Sequence, residues 1–254
     1  MEPLLPLVER RYRYPGRRRL DDRACLNGIL FVLHTGIAWR DLPQELGYGS
    51  GVTCWRRLRE WQQAGVWERL HRLLLDELNA AGEIDWSRAV ADASHIRALF
   101  GGPQTGPSPV DRARSGSKHH LLTDANGVPL AVTLTGGNRH DSTQLLPLLD
   151  AVGGVRGRRG PPRRRPDQLI ADRGYDYPSH RRALRRRGIR PVIARRLHAH
   201  GSGLGAQRWV IERSLAWLHQ YRRLRIRWER SPDIHLAFLT LACALICYRR
   251  LSSL

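Results

Sequence analysis

Two short apolar runs in this chain end in an aspartate: Ala89-Val90-Ala91-Asp92 and Leu169-Ile170-Ala171-Asp172. Such runs are consistent with buried strands, and a carboxylate at the end of one is costly unless it is paired or bound to a cation. A third acid, Glu212, follows Trp209-Val210-Ile211. Any fold must therefore bring partners to these three carboxylates. One choice is a shared divalent metal, since carboxylate oxygens are what Mg²⁺ prefers; the other is a set of ordinary strand-end or salt-bridged acids.

The surrounding pattern supplies a frame. Residues 87–93, 120–123 and 129–135 are predicted as strands, the last two joined by a hairpin turn at Asp124-Ala-Asn-Gly127. A helix with an Asp141/Gln144 capping box follows over 141–152, then a strand over 168–171, a helix over 179–187, a strand over 189–194 and a long helix over 207–221. The order β-β-β-α-β-α-β-α matches a ribonuclease-H-like α/β domain, a mixed sheet flanked by helices. In such a sheet the first and fourth strands lie side by side, so Asp92 and Asp172 meet at their ends, and Glu212 is offered by the last helix. On that helix Arg208, Glu212 and His219 share a face, with an Arg208 to Glu212 pair as the alternative to a phosphate contact.

Residues 1–80 read as a small helical domain ahead of a catalytic domain over 81–254. Asp21 and Asp22 can cap a helix carrying Cys25, Leu26, Ile29, Leu30 and Leu33, with Gly36 at its C-cap. A second helix over 52–64 is predicted to bury Val52, Trp55, Leu58 and Trp61 and to turn Arg56, Arg57, Arg59, Glu60 and Gln63 outward. Two helices of this kind suit either a helix-turn-helix DNA reader or a plain helical bundle. Residues 101–117, rich in Gly, Pro and Ser, are predicted as a loop.

Charge narrows the partner. The net charge is +20, and residues 155–230 hold 22 arginines against five acidic residues, whereas 1–80 carry 13 against ten. A surface this basic attracts polyanions, nucleic acid first. Lys118 is the one lysine among 43 basic residues, so the arginine skew also fits a GC-rich coding sequence. Cys25, Cys54, Cys243 and Cys247 lack zinc or disulfide spacing, which fits a reducing cytoplasm. No signal peptide is evident, and the apolar run 236–248 is too short to span a bilayer and reads as a buried helix. Of the other polar residues, neighbours His119 and His120 point to opposite faces of a strand, Asp141 fits an N-cap and Asp176 a local cap.

Several blocks together resemble the bacterial insertion-sequence transposases of the DDE class, insertion-sequence family five. They are Asn27-Gly-Ile-Leu, Gly36-Ile-Ala-Trp-Arg-Asp-Leu-Pro43, Val90-Ala-Asp-Ala-Ser-His95, Thr105-Gly-Pro-Ser-Pro109, Gly116-Ser-Lys-His-His120, Thr135-Gly-Gly-Asn-Arg-His-Asp141, Ala171-Asp-Arg-Gly-Tyr175 and Val210-Ile-Glu-Arg-Ser through Arg223-Leu-Arg-Ile-Arg-Trp-Glu229. The resemblance runs from about Pro15 almost to the end. It implies two Mg²⁺ or Mn²⁺ ions held by Asp92, Asp172 and Glu212. It also implies double-stranded DNA as partner, in transposon ends and target, and a homo-oligomer in the synaptic complex. Of the Tyr-Arg-Glu-Lys signature of related enzymes, Arg208 and Glu212 match, while Gly205 stands at the tyrosine position and His219 at the lysine position. Candidate DNA contacts are Arg208, His219, Arg222 and Arg223 near the site, and Arg56, Arg57 and Arg59 on the N-terminal helix. Family members carry further helical sequence ahead of Glu2-Pro-Leu-Leu-Pro6, so the end-reading region is expected to lack its first helix. The expected activity is cleavage at terminal inverted repeats and joining of the 3′ ends to target DNA. The alternatives are a ribonuclease-H-like nuclease without strand transfer and a non-catalytic DNA-binding relative.

Overall fold

In the computed structural model, residues 1–7, 12–13, 18–196 and 205–254 are described. Pro15, where the family resemblance begins, lies outside them.

Three helices come first: α1 (Asp22–Thr35), α2 (Gly51–Gln63) and α3 (Val66–Ala81). Asp21 caps α1 by accepting from the Ala24 N–H, and Gly36 closes it in the left-handed region at φ 74°, as its sequence signals required. On α2 the buried line is Cys54, Leu58 and Trp61, while Val52 is exposed. Strict three-residue spacing drifts round a 3.6-residue helix, and Val52 and Trp61 are about two and a half turns apart, so they cannot share a face. That rotation also brings Arg57 inward.

The sheet follows: β1 (Ala89–Ala98), β2 (Gly106–Pro107), β3 (Ser115–Asp124), β4 (Pro129–Gly136), β5 (Gln168–Ala171), β6 (Arg190–Ile193) and β7 (Ile226–Arg227). Between them lie α4 (Leu145–Ala151), α5 (Pro178–Arg186) and α6 (Gly205–Gln220), and the chain ends on α7 (Pro232–Leu251). Strands β1, β3 and β4 form an antiparallel meander; β5 and β6 add in parallel on the other side of β1. The order β4-β3-β1-β5-β6 is that of a ribonuclease-H-like sheet. Two short strands were not predicted. β2 extends the edge of β3 from within the predicted loop, and β7 pairs in parallel with the far end of β1, beyond where β5 leaves it.

Alternation sorts the sheet into two buried layers. Val90, Leu121 and Ile170 pack with α1, α2, α6 and most of α7; Ala89, Ala91, Leu122, Leu169 and Ala171 pack with α4, α5 and the second half of α3. The N-terminal helices thus share one core with α6 and α7. Helix α7 is long and apolar enough to pass for a membrane span, but twelve of its residues are buried inside the fold. All four cysteines are free and buried.

The Asp141 capping box is not formed. His140 is the N-cap, its Nδ1 accepting from the Ser142 N–H, and the first turn is a 3-10 turn over Asp141–Gln144. Asp141 is instead drawn to the Lys118 ammonium at 2.8 Å.

Candidate active site at the end of β1 and β5

The pairing of Ala89 with Leu169 and of Val90 with Ile170 is a register offset of eighty residues. Carried two residues on, it sets Asp92 level with Asp172, on the sheet face covered by α6. The apolar residues before each aspartate fix this: a one-residue slip of either strand would turn its carboxylate into the opposite layer and part it from the other.

Asp92 is largely enclosed, its side chain 19% exposed. Its Oδ1 accepts from the Ala93 N–H at 2.8 Å and its Oδ2 from Arg208 Nη2 at 2.8 Å. Burial pushes its carboxyl above the usual range; Arg208 and the Ala93 N–H pull it back, and the charge of Asp172 adds to the rise. Asp172 leaves β5 as the N-cap of a 3-10 turn, its Oδ1 accepting from the Gly174 N–H at 2.8 Å. Three residues on, Tyr175 is buried with no partner for its hydroxyl among the described residues; burial raises its phenol, and the charges of Asp92, Asp141 and Asp172 add to the rise. Its place in the Asp-Arg-Gly-Tyr block was the only sequence signal for it.

Helix α6 lies over these strands. Arg208 does not pair with Glu212 but reaches Asp92, and His219 Nε2 lies 3.3 Å from Ser94 Oγ on the same strand. Glu212 sits between them on that face, one turn past Arg208, with its side chain exposed to solvent. Among the described residues no three Asp, Glu, His or Cys side chains are grouped so as to hold an ion. The expected convergence therefore extends to the two aspartates and stops short of Glu212. The donors suit a hard divalent cation: two strand-end carboxylates, Asp172 and the desolvated Asp92, although Asp92 Oδ2 is taken by Arg208 in this arrangement.

The remaining arginines divide. Arg56, Arg59 and Arg222 are exposed. Arg57 is 5% exposed and pairs with Asp22 at 2.9 Å, so it is not an outward group. Arg223 is equally buried; it forks onto Glu229 Oε1 through Nε and Nη2 and donates to the Ile37 carbonyl. Both are structural cations, a correction to their assignment as DNA contacts. His119 and His120 face opposite ways as alternation requires, His119 onto His235 at 2.8 Å and His120 onto Thr135 at 2.7 Å. Asp176 bridges Arg181 and the Arg196 N–H, a tie between α5 and the end of β6 rather than a local cap.

The family described as "Transposase DDE domain" matches residues 86–247, and that described as a putative transposase of the IS4/5 family matches residues 1–71. Over 152 residues the chain is 64% identical to a putative transposase for insertion sequence element IS402 of Burkholderia cepacia, covering 60% of this chain and 72% of that protein. A 16.2 kDa uncharacterized protein of the same element is 61% identical over 110 residues, 43% of this chain and 75% of that one. Among solved structures, the Mos1 strand transfer complex aligns over 96% of this chain and 79% of that chain, at 13% identity and a TM-score of 0.34.

Proposed function

This chain belongs to the DDE transposases, in the IS4/5 group of insertion sequences, and we propose that it cuts DNA at its element's terminal inverted repeats and joins the freed 3′ ends to target DNA. The observation that carries this reading is the level pair Asp92 and Asp172 on adjacent parallel strands, under the α6 face that bears Arg208, Glu212 and His219.

Asp92, Asp172 and Glu212 are the residues that would hold two divalent ions, Mg²⁺ or Mn²⁺. When bound, such ions supply the charge neutralisation that an in-line phosphodiester displacement needs at its attacking and leaving oxygens. The chain's own residues do the rest. Strands β1 and β5 fix the separation of the aspartates, because a sheet register is rigid where a loop is not. Arg208 and the half-buried His219 flank the site on α6 and contact the phosphates beside the scissile bond. His219, held neutral by burial, contributes an imidazole hydrogen bond where related enzymes place a lysine charge. Arg56 and Arg59 on α2 and Arg222 after α6 contact DNA backbone. Two ends are held together by more than one copy of the chain.

The test uses duplexes carrying the element's ends and a plasmid target, with Mn²⁺. Wild type yields cut and joined products; Asp92→Asn, Asp172→Asn and Glu212→Gln each lose both. Cleavage with no joined product identifies a nuclease instead, and cleavage unaffected by all three substitutions removes the site assignment.

A further inference from the structure

Asp92 Oδ2 is taken by Arg208 at 2.8 Å and Oδ1 by the Ala93 N–H at 2.8 Å. A cation approaching Asp92 therefore competes with the guanidinium for Oδ2. We infer that Arg208 is a competitor for the metal position at Asp92 and that DNA phosphate is the ligand that draws it away, so that ion loading and DNA engagement favour one another.

Three features support this. The ion pair uses a single donor, Nη2, rather than the bidentate fork that makes an arginine to carboxylate contact strong. Arg208 Nε is buried and has no partner among the described residues, so the present arrangement leaves an unmet donor. A phosphate, with more acceptor oxygens in reach, satisfies donors that Asp92 does not. Arg208 lies in the first turn of α6, where the helix dipole also favours an anion, and its side chain is itself 23% exposed, so part of it already meets solvent. By linkage, a phosphate that removes Arg208 raises affinity for the cation, and the cation raises affinity for DNA by the same factor.

This inference rests on the metal-site reading of Asp92, and the experiment separates the two. Mn²⁺ binding to the full chain is followed by electron paramagnetic resonance of the free ion, with and without end duplex, for wild type, Arg208→Gln, Arg208→Lys and Asp92→Asn, after thermal melts confirm folding. Without DNA, Arg208→Gln binds Mn²⁺ more tightly than wild type by roughly three- to tenfold. Arg208→Lys, which keeps the charge, stays near wild type. With DNA, wild type tightens and the gap to Arg208→Gln narrows. Equal affinities of wild type and Arg208→Gln without DNA, with binding lost in Asp92→Asn, overturn the competition and leave the metal site standing. A gain in Arg208→Lys equal to that in Arg208→Gln also overturns it. Binding unchanged in Asp92→Asn removes the metal site itself, and this inference with it.

Discussion

Arginine serves opposite purposes in this protein, and burial separates them. Arg223 is a fully engaged core cation: Glu229 takes two of its donors, and the carbonyls of Gly36 and Ile37 take a third. Beside it Arg227, 1% exposed, donates to Ser117 Oγ and to the carbonyls of Pro103, Gln104, Glu229 and Arg230. Glu229 keeps its charge in this setting: burial would raise its carboxyl, but His235, 3.5 Å away, and the Arg223 guanidinium hold it below the usual range. Removing one partner of such a pair strands the other. Arg223→Ala should therefore cost about 3–5 kcal/mol in urea unfolding; a loss within about 1 kcal/mol, the scale of an exposed pair, would assign Arg223 to the surface. Composition hid this role. In a chain with 43 basic residues the sign of a side chain says nothing of its depth, and Glu229 and Ile37, which decide it, are distant or unremarkable in sequence.

At the scale of elements, the β3–β4 hairpin depends on one carboxylate. Asp124 is buried and accepts from the N–H groups of Asp85, Asn126 and Val128, tying the hairpin turn to the strand entry at β1. Burial pushes its carboxyl up to about 6, partly offset by those three bonds. Asp124→Ala leaves the buried Val128 N–H unmet and two part-buried donors short, and should destabilise by roughly 1–3 kcal/mol, read from the denaturation midpoint; a neutral result would mean that water replaces all three. The turn was legible because Asp-Ala-Asn-Gly is a local signal. So were α1, with both its caps, and strands β4 and β5, whose alternation or apolar run is short-range. The face of α2 was not, since spacing by three let Val52 stand in for Cys54. Strand β7 was not either: two residues acquire strand character only because the far end of β1 lies beside them. The Asp141 cap failed for a similar reason, as Lys118, 23 residues earlier, competes for the carboxylate.

Across the whole molecule, β1, β3 and β5 each face both layers, and buried imidazoles pack along the sheet: His71 on the Pro129 carbonyl of β4, His119 and His120 from β3, and His235 against His119. Burial lowers His71 and His120 to about 4, and His119 and His235 are lowered as well. These groups stay neutral in the fold and take up protons on unfolding once the pH is below about 6.5. Stability from this source is intact above that pH and is lost as the pH falls towards about 4. Asp92 and Asp124, raised by burial, act in the opposite sense over part of that range. The clean comparison is therefore His120→Gln against wild type: the variant should lose less stability between about pH 7 and pH 5, and parallel losses would show that His120 is not held neutral. The proposed site was legible to the extent that it is written in strands. Equal apolar runs eighty residues apart, ending in aspartate, dictate both register and face for Asp92 and Asp172. Glu212 follows from a helix whose apolar residues give its facing but not its reach, and its exposed side chain is the point on which the account turns. The most direct test is the joining of a precut end to target DNA by Glu212→Gln in Mn²⁺. Loss of about 100-fold or more in joining rate, with the end duplex still bound, is the predicted result; joining at the wild-type rate would contradict a three-carboxylate site.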